Sequence, residues 1–219
     1  SEAAAKRLDL PITLEEVAEA VRVVNLGKTP GPDGFPAEFY RMFDKLLGSH
    51  MLSAFTEAVE NTKFPPDTNL ATIVVLPKPG HPLAQCASYR PISLINSDLK
   101  VFAKIPANRL LPTLPGLIHS DQCGLKPLRR MGDCIRRLYS ALATMEELPG
   151  SKSLLLLDFK KAFDSVDWDY LDGLLDRLGF DPFCRRCICA LYSGSMAQVR
   201  VNGCLLNPFP ICRSTRQGC

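Results

Sequence analysis

A single aspartate at the end of an apolar run is the residue best placed to do chemistry. Residues 153–158 read Ser-Leu-Leu-Leu-Leu-Asp, and a run without polar alternation is typical of a strand covered on both faces. Asp158 at its end would project from a rigid support, where carboxylate oxygens can hold a hard divalent cation. The alternative is that Asp158 only caps the following turn, which is the commoner role of a lone aspartate.

Cysteine and histidine give a weaker metal signal. Cys184 and Cys187 form one Cys-x-x-Cys, and the histidines are scattered, so the second ligand pair of a zinc site is missing. These cysteines are predicted to be small apolar side chains. Because the nine cysteines are an odd number and the chain opens without a signal-peptide pattern, the thiols are predicted to be reduced and the compartment intracellular.

Composition sets broad limits. The 219 residues are 46% hydrophobic, enough for the core of one large domain or two small ones. The formal net charge of +3 only weakly favours a polyanionic partner. No apolar run has the roughly 18 to 20 residues that a membrane span needs, so no membrane association is predicted.

The first half of the chain predicts helices and one strand. Thr13 and Glu16 fit a capping box that starts a helix, with Gly27 at its end. Apolar spacing then predicts two helices joined near Gly48-Ser49, and the β-branched residues 71–76 predict a strand closed by Pro77.

The second half predicts helices again, with strands between them. Asn96 can cap a helix that Pro106 would kink or stop. A further helix is predicted between Arg129 and Glu147 with an inward apolar face, and arginines that are either solvated or directed at nucleic acid. The remaining predictions are a helix capped by Asp167 and ended by Gly179, a helix from Pro182 to about Tyr192, and a hairpin turning at Asn202-Gly203. Together these elements predict an α+β or α/β fold and exclude an all-β one.

Five motifs in order resemble those of one family. Residues 155–164 (LLLDFKKAFD) resemble the first palm motif of reverse transcriptases. The other motifs are those of the non-LTR (LINE-type) enzymes: KTPGPDGF at 28–35, ATIVVLPKPG at 71–80, YRPISLIN at 89–96 and the start of the next palm motif, TRQGC, at 215–219. Any one of them is a weak signal, but their order makes the resemblance specific over the chain from about Pro11.

The resemblance implies a right-hand polymerase fold of α+β class. Residues 1–150 would form the fingers with an N-terminal helical region, and residues 151–219 a partial palm. The implied activity is RNA-directed DNA polymerisation with Mg2+, an RNA template, a DNA primer and a dNTP, in the nucleus or a cytoplasmic ribonucleoprotein. Oligomeric state stays open.

The resemblance also assigns roles. Asp158 and the carbonyl of Phe159 would hold metal, and Phe163 would exclude a ribose 2′-hydroxyl. Arg90 would bind the incoming triphosphate, with Lys78 as a second candidate that is otherwise an ordinary solvated charge. Gln217 would lie near the incoming nucleotide. Template contact through phosphates is implied for the turn that contains Pro30, Gly31, Asp33 and Gly34.

The sequence departs from the family in ways that bear on activity. The second catalytic element, an aromatic-Ala-Asp-Asp turn, would lie beyond Cys219, so this chain alone is predicted to be an inactive fragment. Ser214 stands where a glycine is usual, and Pro106 falls inside a predicted helix. The alternatives to a polymerase segment are therefore a catalytically dead nucleic-acid-binding remnant and a retroelement relic without function.

Overall fold

The chain folds into helices packed around one mixed β-sheet. The computed structural model describes residues 8–119, 121–124, 130–147 and 149–215. Its helices and strands are, in chain order, α1 (Leu14–Val23), α2 (Ala37–Met42), α3 (Asp44–Glu60), β1 (Leu70–Pro77), β2 (Tyr89–Leu94), α4 (Ser97–Leu110), α5 (Leu114–Leu117), α6 (Met131–Glu147), α7 (Trp168–Arg177), α8 (Pro182–Tyr192), β3 (Met196–Val201), β4 (Cys204–Leu205) and β5 (Phe209–Pro210). The predicted α+β class is confirmed.

Helix α1 starts where its capping box predicts. The Glu16 N–H donates to Oγ1 of Thr13, and the Thr13 N–H donates to Oε2 of Glu16 at 3.1 Å. The helix ends at Val23 because Val24 is already extended, so Gly27 is not its terminator. Gly27 does have a φ of 67°, and its N–H donates to Oε1 of Glu38 at 2.6 Å.

The predicted junction at Gly48-Ser49 is wrong. Helices α2 and α3 meet at Phe43, and Gly48 is buried within α3. A side chain at Gly48 would press on α1, because a Cβ there would lie 3.2 Å from Cδ1 of Leu14. The glycine serves close helix packing.

Pro106 neither stops α4 nor marks its end. The helix runs from Ser97 to Leu110 with Pro106 inside it, buried beside Ile105. A proline in a helix removes one backbone donor, and the burial of this side of α4 offsets that cost.

The sheet has the strand order β2-β1-β3-β4, and β5 also pairs with β3. Strand β1 is antiparallel to β2 and parallel to β3. The turn between β3 and β4 uses Asn202 at φ 50° and Gly203 at φ 81°, so the hairpin predicted there is confirmed.

One hydrophobic core joins both halves of the sequence. It contains Val17 of α1, Phe55 of α3, Phe102 of α4 and Ala190 of α8. Strand β1 precedes residue 150 and β3 follows it, yet the two strands pair in one sheet. The division into fingers (1–150) and palm (151–219) therefore does not coincide with a break in the sheet, and it stays a prediction.

Two expectations about α6 and the cysteines do not hold. The apolar face of α6 that was predicted to point inward includes Ile135 and Leu138, which are 49% and 38% exposed. Cys123 and Cys134 are joined in a disulfide, so the prediction that all thiols are reduced is wrong for this pair.

Within the described ranges, no helix is long and apolar enough to cross a membrane.

Candidate active site

The segment that leads to Asp158 is not a buried strand. Residues 151–158 lie outside the sheet, and Leu155, Leu156 and Leu157 are 76%, 79% and 75% exposed. A strand needs a neighbouring strand to satisfy its backbone N–H and C=O groups, and none of the described strands lies beside this segment. The predicted strand is therefore wrong in this structure, and Asp158 is exposed at the end of an unpaired apolar run.

The residues after Asp158 are tied to the segment that precedes the TRQGC motif. The N–H of Thr215 donates to the Phe163 carbonyl at 2.9 Å, and the N–H of Ser214 donates to the Val166 carbonyl at the same distance. An antiparallel bridge links Asp167 to Arg213. The structure thus brings two of the five motifs together, although they are about fifty residues apart in sequence.

Phe159 and Phe163 both have exposed rings. Phe159 is 79% exposed and Phe163 is 53% exposed, at the start of a short 3-10 turn. Phe163 is anchored through its backbone carbonyl, which accepts the hydrogen bond from Thr215. Neither ring is packed in the core as an ordinary structural phenylalanine would be.

The two basic candidates lie on the β1–β2 hairpin. Arg90 is exposed and pairs in register with Leu76. Lys78 continues the ladder, its N–H donating to Ser88 at 2.8 Å, and its Nζ donates to the Ala87 carbonyl at 2.7 Å. An ammonium has three donors, so Lys78 keeps capacity for an anion. Alternation along the ladder places Lys78 and Arg90 on the same face of the sheet.

The proline-glycine turn is fixed against the start of α4. The Gly34 N–H donates to the Gly31 carbonyl at 3.1 Å, and the Asp33 N–H donates to Oδ1 of Asn96 at 3.3 Å. A Cβ on Gly31 would lie 2.1 Å from that same oxygen, so only glycine fits. Pro30 and Gly31 are half-buried, whereas Asp33 and Gly34 are exposed and can meet a ligand.

Asn96 is a contributor that the sequence reading missed. It stands at the N-cap of α4 as predicted, but its side chain makes no capping hydrogen bond. Its Nδ2 instead donates to the Asp67 carbonyl at 3.2 Å while its Oδ1 holds the turn. Its place in the YRPISLIN motif was the available signal.

A second missed group is the carboxyl of Asp98, next to the turn. Burial is the main cause that raises the pKa of Asp98 to about 6, and the negative charge of Asp33 contributes to the same rise. Burial also raises the pKa of Tyr40, with the charge of Asp98 as a second cause. A group that titrates in mildly acidic solution is therefore electrostatically coupled to Asp33 of the turn.

The described residues do not complete a metal site. Across residues 8–119, 121–124, 130–147 and 149–215, no three His, Cys, Asp or Glu side chains are grouped so as to hold an ion. Asp158 and the Phe159 carbonyl alone are too few oxygen ligands for a divalent cation, which takes about six. Gln217 lies outside the described residues.

The described residues combine a mixed sheet, basic side chains on its β1–β2 hairpin and an exposed aspartate at the end of an unpaired apolar run. Residues 76–219 match the family model described as reverse transcriptase (RNA-dependent DNA polymerase). The whole chain is 35% identical to the "Transposon TX1 uncharacterized 149 kDa protein" of Xenopus laevis and covers 17% of it.

Two Drosophila proteins are also similar. A probable RNA-directed DNA polymerase from transposon BS of Drosophila melanogaster is 27% identical over 77% of this chain and 18% of that protein. The RNA-directed DNA polymerase from mobile element jockey of Drosophila funebris is 28% identical over 89% of this chain and 21% of that protein. The chain spans about a fifth of each of these relatives.

The chain belongs to the reverse transcriptase family, of the kind carried by non-LTR retrotransposons. The resemblance found in the five motifs is thereby confirmed. Reverse transcriptases act on a nucleic-acid template and primer with nucleotide substrates, and they generally use a divalent metal ion.

Proposed function

We propose that this chain supplies the fingers and the first palm segment of an RNA-directed DNA polymerase. Its substrates would be an RNA template, a DNA primer and a dNTP, and its metal Mg2+. The observation that carries the proposal is the family match over residues 76–219, a range that contains Arg90, Asp158 and Phe163, to which the motif resemblance assigns roles. The chain spans about a fifth of each of the relatives named above, so the activity of a whole polymerase is part of the proposal.

In this proposal Asp158 and the Phe159 carbonyl contribute only part of a Mg2+ site. The second carboxylate is proposed to come from outside the described residues, among which no three His, Cys, Asp or Glu side chains are grouped to hold an ion. Phe163 contributes differently. Its carbonyl accepts from Thr215, which anchors the backbone while the exposed ring is available to pack where a 2′-hydroxyl would lie.

The hairpin and the turn contribute binding. Arg90 and Lys78 share a sheet face and offer donors suited to phosphate oxygens. Pro30, Gly31, Asp33 and Gly34 belong to a turn that Asn96 holds in place. The N–H groups of Asp33 and Gly34 are used within the protein, so the turn is proposed to lie along the template strand and the phosphate donors to come from the hairpin. Such contacts position a nucleic acid without reading its sequence.

For the 219-residue chain by itself we propose nucleic-acid binding without catalysis. The supporting observations are that Asp158 is exposed and that no three His, Cys, Asp or Glu side chains are grouped to hold an ion among the described residues. A polymerase with one metal carboxylate would hold its ions poorly. An intracellular location, in the nucleus or a cytoplasmic ribonucleoprotein, is proposed with it.

Primer extension tests both proposals. The reading frame should be sequenced beyond the codon for Cys219, and the longest open frame expressed with Asp158→Asn and, as a matched control, Asp169→Asn. Asp169 is an exposed acid in the first turn of α7. The Asp158→Asn variant should lose primer extension on an RNA template, whereas the Asp169→Asn variant should keep it. Equal activity of the two variants would contradict the polymerase assignment.

The 219-residue chain should be assayed beside the longer protein. It should extend no primer, yet bind an RNA–DNA hybrid with an affinity that falls as salt rises. Extension by this short chain would refute its proposed inactivity.

A further inference from the structure

Only two charged side chains occur on the strands of the sheet that the structure describes. They are Arg90 on β2 and Arg200 on β3, and every other residue of β1 to β5 is uncharged. Water-facing sheet surfaces usually mix acidic and basic residues. Here the described strands carry positive charge and no acid, which is a pattern suited to an anion.

The pairing register places both arginines on one face. Arg200 is the partner of Val74 on β1, and Arg90 is the partner of Leu76, two residues further along the same strand. Residues i and i+2 of a strand share a face, and paired residues on adjacent strands do too.

An independent contact confirms the register on β3. Gln198 and Thr72 are partners in the ladder, and Nε2 of Gln198 donates to Oγ1 of Thr72 at 3.1 Å. Arg200 lies two residues after Gln198, so it points to the same side. The opposite face carries Ala71, Ile73 and Ala197, which line a cavity together with Asp164 and Arg213.

Both arginines are available to a ligand. Each is exposed, and the guanidinium of neither has an ion pair or hydrogen bond with another described residue. They flank β1 from its two sides, so their Cα atoms are separated by two strand spacings and one two-residue step, about 12 Å. Lys78 extends the same face at the hairpin end.

We propose that Arg200 is a further phosphate-binding residue, which acts with Arg90 and Lys78 on this face of the sheet. The five motifs that identified the family do not include Arg200. The inference deepens the proposed function and rests on it, because it takes the face that carries Arg90 as the one that meets substrate. The ligand chemistry is the phosphate oxygen, supplied either by a nucleic-acid backbone or by a nucleotide triphosphate.

Binding of defined probes by the 219-residue chain tests the inference. The probes are a fluorescent single-stranded RNA of mixed sequence, titrated at several salt concentrations, and inorganic triphosphate, followed by calorimetry. The variants are Arg200→Gln, Arg200→Lys and Arg90→Gln. Arg177→Gln is the matched control, since Arg177 is an exposed arginine in the last turn of α7, away from the sheet. Melting curves verify that each variant is folded.

The expected result separates Arg200 from the control. Arg200→Gln should weaken RNA binding about fivefold to tenfold and reduce the slope of log affinity against log salt by about 0.7, the contribution of one phosphate on a single strand. Arg200→Lys should keep the slope, because it keeps the charge. A loss confined to inorganic triphosphate would support the same residue and assign the nucleotide as the ligand.

Two outcomes would overturn the inference, and they differ. If Arg90→Gln weakens binding but Arg200→Gln matches Arg177→Gln with both probes, the face binds phosphate without Arg200. If neither Arg90→Gln nor Arg200→Gln changes binding, the role proposed for the whole face fails as well.

Discussion

The indole Nε1 of Trp168 donates a hydrogen bond of 2.9 Å to the carbonyl oxygen of Ser214. The N–H of Ser214 donates in turn to the carbonyl of Val166. These two contacts hold Ser214 at a φ of +114°, a conformation that favours glycine. The departure noted in the sequence, a serine where the family usually has glycine, therefore coincides with backbone strain.

Ser214→Gly should stabilise the protein by about 1 kcal/mol, because glycine adopts this φ without the cost that a side chain incurs. For a chain of this size the expected rise in Tm is about 2–4 °C, measured by thermal unfolding. Ser193→Gly is the control. Ser193 has a φ of −60°, so the same change there should lower Tm. A fall in Tm for Ser214→Gly would show that residue 214 is not strained.

Features that depend on residues close together in the sequence were predicted well, and features that depend on residues far apart in the chain were not. The capping box of Thr13 and Glu16 and the Asn202-Gly203 turn were predicted correctly, since each depends on neighbours within a few residues. The role of Gly48 depends on Leu14, more than thirty residues away. The run before Asp158 was predicted as a strand, but a strand depends on a partner strand that no local pattern supplies.

In the candidate site too, the sequence predicted individual residues but not which of them lie together. The sequence predicted a tight turn containing Gly31, but not that Asn96 would lie against it, since the two are far apart in the chain. It predicted Arg90 from a motif but gave no reason to select Arg200, which only the strand register places on the same face. The role of Gln217 stays a prediction.

Gly31→Ala should destabilise the protein by about 1–3 kcal/mol, the usual cost of overpacking. The added Cβ would lie 2.1 Å from Oδ1 of Asn96 and 2.5 Å from the backbone carbonyl carbon of Ile95. Relieving the second contact requires a shift of the backbone, which costs more free energy than a change of side-chain rotamer. Urea unfolding measures the change. Gly173→Ala is the control, because Gly173 lies in α7 with open space around it and should gain about 0.5–1 kcal/mol. Equal effects of the two substitutions would mean that the turn is not packed against Asn96.

Asp98 should make stability fall as pH rises through mildly acidic values. Its pKa in the folded chain is about 6, above the ordinary value of 3.8, so between these values the folded state binds more protons than the unfolded state. Stability therefore decreases with pH across this window. Asp98→Asn should remove that part of the dependence, and Asp44→Asn, an exposed acid at the start of α3, should retain it. The measurement is the urea midpoint at pH 4 to 7. Parallel profiles for wild type and Asp98→Asn would exclude the assigned pKa.

The apolar run before Asp158 should make the 219-residue chain self-associate. Four consecutive leucines, 154 to 157, are each at least half exposed, and a contiguous exposed apolar segment without a partner strand is prone to pair with another copy. Leu156→Glu should increase the monomer fraction in sedimentation velocity, because a charge at the centre of the run opposes edge-to-edge pairing. Leu46→Glu is the matched control. Leu46 is 67% exposed on α3 but belongs to no such run, so its replacement should leave association unchanged. A wild-type chain that remains monomeric at every concentration would show that residues 153–158 are covered in solution.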